Sequence, residues 1–196
     1  MPEDLNEIDE IDLDRSKLVP RIKSVHFISS LKEMQTARND FPYTEPFVGD
    51  LIIAYAFDLP DLFMMATLES IKAAGLTPKE VKKVAISNLR KQIPEIGFQR
   101  QGRIYKIVSE IDLEACTLLA KPFWKQIEDR FDEAIVAAIP HRNRVYFTGE
   151  SNSRGLRELK SIRDNILDSP DPHNLSDFLF CWRDSCWSVF EDNSDD

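Results

Sequence analysis

A chain of 196 residues, 42% apolar and 30% charged, is long enough for one domain with a real core and too polar for a bundle of membrane spans. The net charge of −9 belongs to the ends: residues 1–14 hold seven acids and 184–196 hold five, neither with a base, so 15–183 sum to +3. An acidic total argues against nucleic acid as a partner, and the two charge blocks read as solvated tails on a near-neutral body.

The expected organisation is an acidic N-terminal arm at 1–16, a single α+β domain at 17–190 and an acidic C-terminal tail at 191–196. The longest apolar run, LIIAYAF at 51–57, falls far short of a bilayer span. The opening MPEDLNEIDEIDLD lacks the basic start and apolar middle of a secretion signal. Cys116, Cys181 and Cys186 are odd in number and show no metal-site spacing, which fits reduced thiols in the cytoplasm.

In chain order, 18–30 reads as an extended segment that Pro20 keeps out of a central strand. Residues 31–48, with Pro42, Pro46 and three aromatics, read as a loop over the core. The runs 51–57 and 62–67 are strands on length and composition, and Asp58-Leu59-Pro60-Asp61 between them is turn chemistry. Thr77-Pro78-Lys79-Glu80 is a capping box with proline at the first helical position, so 78–92 is predicted as an amphipathic helix, stopped by Pro94. Strands are predicted at 104–108 and 116–119, joined by an acidic turn around 110–114. A short helix follows at 122–130, then a hairpin of 134–139 with 145–148 across His141-Arg142-Asn143-Arg144. Leu156, Leu159, Ile162 and Ile166 place a second amphipathic helix at about 153–168.

The chain closes on FLFCWRDSCWSVF. With Asp184-Ser185 as a two-residue turn, Arg183 opposes Cys186 and Trp182 opposes Trp187, an aromatic pair worth roughly 0.5–1 kcal/mol. Cys181 and Cys186 then sit diagonally, a poor geometry for a disulfide. Trp182, Arg183 and Trp187 are read first as a structural staple and, alternatively, as a partner-binding patch.

A second candidate is TGESNSRGL, residues 148–156, which leaves a strand and enters a helix through two glycines. Gly149, Ser151, Asn152 and Ser153 supply backbone N–H groups of the kind that hold an anion, and Arg154 and Arg157 add charge. The stretch 139–163 carries six bases against two acids. It is neither a P-loop nor a nucleophile elbow, and Ser151, Asn152 or Ser153 capping a helix explains it without a ligand. His26, His141 and His173 lie far apart in the chain. Asp171-x-His173 with Asp177 is too common a spacing to define a metal site, and no cofactor motif or complete catalytic set is present.

Several blocks together resemble the YtpQ-like bacterial family of unknown function: GDLIIAYAFDLPD, GLTPKEVKKVAISNLRK, the region of Leu118–Trp124, AIP with FTGESNSRGL, and LSDFLFCWRDSCW. The resemblance covers most of 20–190 and implies a single cytosolic α+β domain, with no activity attached. Arg142-Asn143 stands where an Arg-Asp would be expected and removes a carboxylate. Asp184-Ser185 stands where a glycine is more usual, and the acidic arm looks like an addition.

The resulting expectation is a non-enzymatic interaction module, of inhibitor or immunity type, facing a basic protein partner. The alternative is a binding or enzyme site for a small anionic or phosphate-bearing molecule at the 149–157 loop. Binding of nucleic acid is the least favoured, since the aromatics do not interleave with the bases.

Overall fold

The computed structural model describes residues 13–34, 41–60, 62–92, 96–109 and 113–191. Most of the acidic arm, Pro94, most of the acidic turn before Glu114 and the last residues of the tail lie outside these.

Two antiparallel sheets organise the chain. In the first, β3 (Leu51–Asp58) is the centre, with β1 (Leu18–Ser24) on one side and β2 (Thr44–Val48) and β4 (Phe63–Met65) sharing the other. Pro20 lies in β1, which among the described residues pairs with β3 alone, so its missing N–H leaves no gap in the sheet. The second sheet has the order β10–β9–β7–β8–β6–β5, built from β5 (Gly97–Gln101), β6 (Ile104–Val108), β7 (Ile135–His141), β8 (Arg144–Gly149), β9 (Leu179–Arg183) and β10 (Cys186–Val189). Helices α1 (His26–Glu33), α2 (Leu68–Ala73), α3 (Pro78–Gln92), α4 (Lys121–Phe131) and α5 (Ser153–Leu167) join them, with 3-10 helices at Arg15–Lys17 and Glu114–Leu119. This is the α+β class expected from the sequence.

The alternation of β7 shows where the core lies. Ile135, Ala137 and Ile139 point into the main cluster, which joins both sheets through Ile53, Tyr55, Phe57, Phe147 and Phe180. Val136 and Ala138 point the other way, under α5, against Tyr146 and Leu159. A strand buried on both faces needs an unbroken apolar run, and β7 has one.

Of the capping box read at Thr77–Glu80, the Glu80 side-chain half forms, while the Glu80 N–H donates to the Thr77 backbone oxygen. The Thr77 backbone N–H and hydroxyl both donate to Glu80 Oε2, at 2.9 and 2.7 Å, at the start of α3. Leu59 N–H donates to Leu62 O at 3.0 Å and closes the β3–β4 hairpin. In the terminal hairpin Asp184 and Ser185 take φ of 51° and 62°, the two positive angles of a type I′ turn. The register pairs Trp182 with Trp187 and Arg183 with Cys186, as expected.

Three readings change. Residues 25–30 are largely helical rather than extended, because α1 starts at His26, directly after β1. The supposed loop at 31–48 includes the last turn of α1 and the strand β2, with Pro46 carried on the outer side of β3. The run at 116–119 belongs to a fully buried 3-10 helix rather than a strand. There Thr117 Oγ1 donates to Glu114 O at 2.6 Å and Trp124 Nε1 donates to Thr117 O at 2.8 Å, so local and tertiary bonds take the backbone a strand partner would need. A short apolar run fits either state by periodicity alone. Helix α2 and strand β5 were not foreseen.

Candidate functional site

At the seam between the sheets, the last residues of β1 lead into α1 while the β2–β3 turn passes beside them. Gly49 makes that turn at φ 56°, and a Cβ there would press on Val189, Phe180 and Phe178. The next residue, Asp50, ties three segments together. Its backbone oxygen accepts from Val25 N–H at 2.8 Å, and its Oδ1 accepts from the Ser176 hydroxyl at 2.6 Å.

Ser176 comes from the other sheet. A bulge near the end of β7 leads to the turn at Arg142 and Asn143, and residues 173–176 run alongside as an added edge. Arg142 N–H donates to His173 O at 3.1 Å, and Leu175 N–H donates to Pro140 O at 2.9 Å. Asp171, between two prolines, accepts from His173 N–H at 2.7 Å and lies 3.5 Å from His141 Nε2. This edge faces β1 and α1 across a cleft of about 650 Å³.

Lys23, Arg142 and His173 all line this cleft. Burial lowers the Lys23 pKa, and the nearby Arg21 and Arg142 guanidiniums lower it further. His173 falls below its ordinary value for the same reasons, burial first, then Arg142 and Lys23, with Asp171 opposing. Arg142 thus acts on both Lys23 and His173, and Lys23 on His173, so the end of the cleft where the three meet is where an anion would be stabilised. Opposite them, burial raises the Asp50 carboxyl above the ordinary carboxylate range, against the hydrogen bond from Ser176. Among the described residues, buried His173 Nδ1 and Asn174 Oδ1 have no hydrogen-bond partner.

The histidines, distant in sequence, meet here. His26 and His173 line the cleft, and the His141 ring stands behind, 5.9 Å from that of His173 and perpendicular to it. The sequence signal is thin: Arg142 stands out as one base of a basic segment and in the Arg142-Asn143 departure, Asp50 only within the GDLIIAYAFDLPD block, and Lys23 carries no motif. Among the described residues no group of His, Cys, Asp and Glu is arranged to hold a metal ion.

The residues singled out in the sequence fall elsewhere. At the 149–157 loop Ser151 N–H donates to Glu133 Oε2 at 2.6 Å, so a carboxylate of the chain itself occupies the place an anion would take. Asn152 caps α5 by accepting from Gly155 N–H at 3.0 Å, and its amide group donates to Arg103 O and Thr148 Oγ1. Gly149 leaves room for the Glu133 carboxylate, and Gly155 for Thr148 and Asn152. Ser153, Arg154 and Arg157 point into solvent. The loop's polar groups are thus engaged in joining β8 to α5.

At the terminal hairpin Trp182 is wholly buried and has no surface to offer a partner, which corrects its reading as part of an exposed patch. Trp187 is half-buried, stacked edge-on against Trp124 at 4.8 Å, and its Nε1 donates to Leu118 O. Arg183 is exposed and paired with Glu150. The two tryptophans of the hairpin pack with Trp124 of α4 and tie the hairpin to the 3-10 helix through Leu118.

An antiparallel α+β protein with a cleft at its sheet seam is the class these features define. By sequence, the chain is 24% identical over 136 residues to a UPF0354 protein of Listeria monocytogenes serotype 4b, covering 68% of this chain and 49% of that protein. It is 25% identical over 136 residues to a UPF0354 protein of Listeria innocua serovar 6a, with the same shares. These likenesses support kinship with a bacterial family of unknown function, and neither name states an activity. The chain spans about half the length of these curated relatives. No family model and no solved structure matches it. Among the described residues no helix is long and apolar enough to cross a membrane.

Proposed function

We propose that this chain is a binding module whose ligand is a small anion held in the seam cleft by Lys23, Arg142 and His173. The observation that carries the reading is the convergence of Lys23, Arg142 and His173 on one concave space, close enough that Arg142 depresses both of the others and Lys23 depresses His173. An anion would relieve that repulsion, and His173 Nδ1, donating as N–H, would gain a partner. The closer kinship to the YtpQ-like family belongs to this proposal and adds no chemistry to it. So does a cytoplasmic location, supported by three cysteines that are all free thiols.

Thermal unfolding with inorganic phosphate and pyrophosphate tests the reading, because a ligand bound only by the folded chain raises the midpoint. The midpoint should rise for the unaltered chain and for Arg154→Ala, and the rise should shrink about tenfold in apparent affinity for Lys23→Gln. A rise lost with Arg154→Ala and kept with Lys23→Gln would move the site to the 149–157 loop.

A protein partner is the second reading, favoured by one observation. Leu62, Phe63 and Leu68 are exposed together around β4, at the outer side of the first sheet. Such a cluster suits contact with another chain. Charge reversal in the acidic arm would leave that contact in place, whereas Phe63→Ser would remove it, as read by capture from lysate at two salt concentrations.

A further inference from the structure

Helix α1 differs from the other helices in what it buries. Each of α2, α3, α4 and α5 places side chains in the core, but α1 has no buried residue. None of its apolar side chains packs in either hydrophobic cluster. Phe27, Leu31 and Met34 nevertheless follow one another at i, i+4 and i+7, which sets them on a single face. That face lines the seam cleft, opposite Leu167 and Pro172.

The apolar wall and the cationic end meet at one residue. The Lys23 ammonium lies 5.0 Å from the centroid of the Phe27 ring, so a ligand group reaching Lys23 passes along that ring. Farther out along the helix, Met34 is 75% exposed, which leaves the apolar face uncovered where it opens to water. A free inorganic anion would use the charges and leave this wall wet.

We propose that the ligand of the cleft is an amphipathic anion: an anionic head against Lys23, Arg142 and His173, and an apolar body laid along Phe27, Leu31 and Met34. This deepens the proposed function and rests on the cleft being an anion site. The volume of about 650 Å³ admits a head group with a short chain or a ring, within the range of small-molecule sites.

Calorimetric titrations of the full chain with inorganic phosphate, hexyl phosphate and hexanol separate the two claims. Hexyl phosphate should bind about 10- to 100-fold more tightly than phosphate, from partial burial of its methylenes. Hexanol, lacking the head, should bind far more weakly than either. Met34→Ala, an exposed position whose loss leaves the core intact, and Leu31→Gln should each reduce the hexyl advantage several-fold and leave phosphate affinity unchanged. Equal affinities for phosphate and hexyl phosphate would overturn the amphipathic proposal and leave the anion site standing. Hexanol binding as tightly as hexyl phosphate would overturn it as well, by removing the role of the head. Failure of both phosphates to bind would overturn the inference together with the reading beneath it.

Discussion

A methyl group added at Gly149 would land on the Glu133 carboxylate, so Gly149→Ala must push that side chain off the Ser151 N–H. The carboxylate is the far end of a flexible chain and can swing into water, which limits the loss to about 1 kcal/mol, measured as a urea midpoint. Trp182→Ala is the heavier change. It empties a fully buried site beside Trp187 and should cost about 3–5 kcal/mol, enough to mask any effect on binding. His173 offers a test through pH. Its folded pKa lies below the ordinary 6.5, so the unfolded chain takes up the proton first as pH falls. Its stabilising contribution is therefore complete above about pH 6.5 and declines below it. The groups acting on His173 are Lys23, Arg142, Asp171 and His141, and His26, Asp50 and Asp177 line the same cleft. A bound anion reverses the bias against the imidazolium. Sulfate, which does not titrate in this range, should raise the unfolding midpoint more at pH 5.5 than at pH 8, and His173→Gln should abolish the difference.

Among the elements, the terminal hairpin carries a correctable strain. Ser185 holds φ 62° in a turn whose second position favours glycine. Ser185→Gly should stabilise the chain by about 0.5–1 kcal/mol, seen as a higher midpoint with unchanged denaturant slope. Helix α3 predicts the opposite sign. Glu80→Ala removes the acceptor of both Thr77 bonds and should lower the unfolding midpoint. These elements were legible because their signals are local. Pro78 with Glu80 starts a helix within four residues, and the Trp182–Trp187 register follows from the length of one turn. Helix α1 was hidden for the complementary reason. Its apolar side chains have no core partners, so its sequence resembles a polar linker, and Pro20 upstream biased the reading toward extended chain. The run CTLL failed differently, since its 3-10 form depends on Trp124 reaching back to Thr117.

For the whole molecule, the seam between the sheets matters more than either sheet. Lys23, Asp50, Arg142 and His173 come from four segments, and no spacing rule relates them. The fold brings them together through two hydrogen bonds of Asp50 and the strand-like edge at 173–176. The sequence did show a basic region and a glycine-bearing loop, yet it could not show that Glu133 fills that loop from the neighbouring strand's approach. An anion-site motif is ambiguous for this physical reason: the same N–H groups accept a ligand or one of the chain's own carboxylates with similar geometry.

The most direct measurement is an amide chemical-shift titration of the 15N-labelled full chain with inorganic phosphate. Saturable shifts at Lys23, Ser24, Arg142, His173 and Asn174, with residues 149–157 unmoved, are the result predicted here. Shifts centred on Gly149, Ser151 and Arg154, or none at either place, would contradict the assignment of the seam cleft as the binding site.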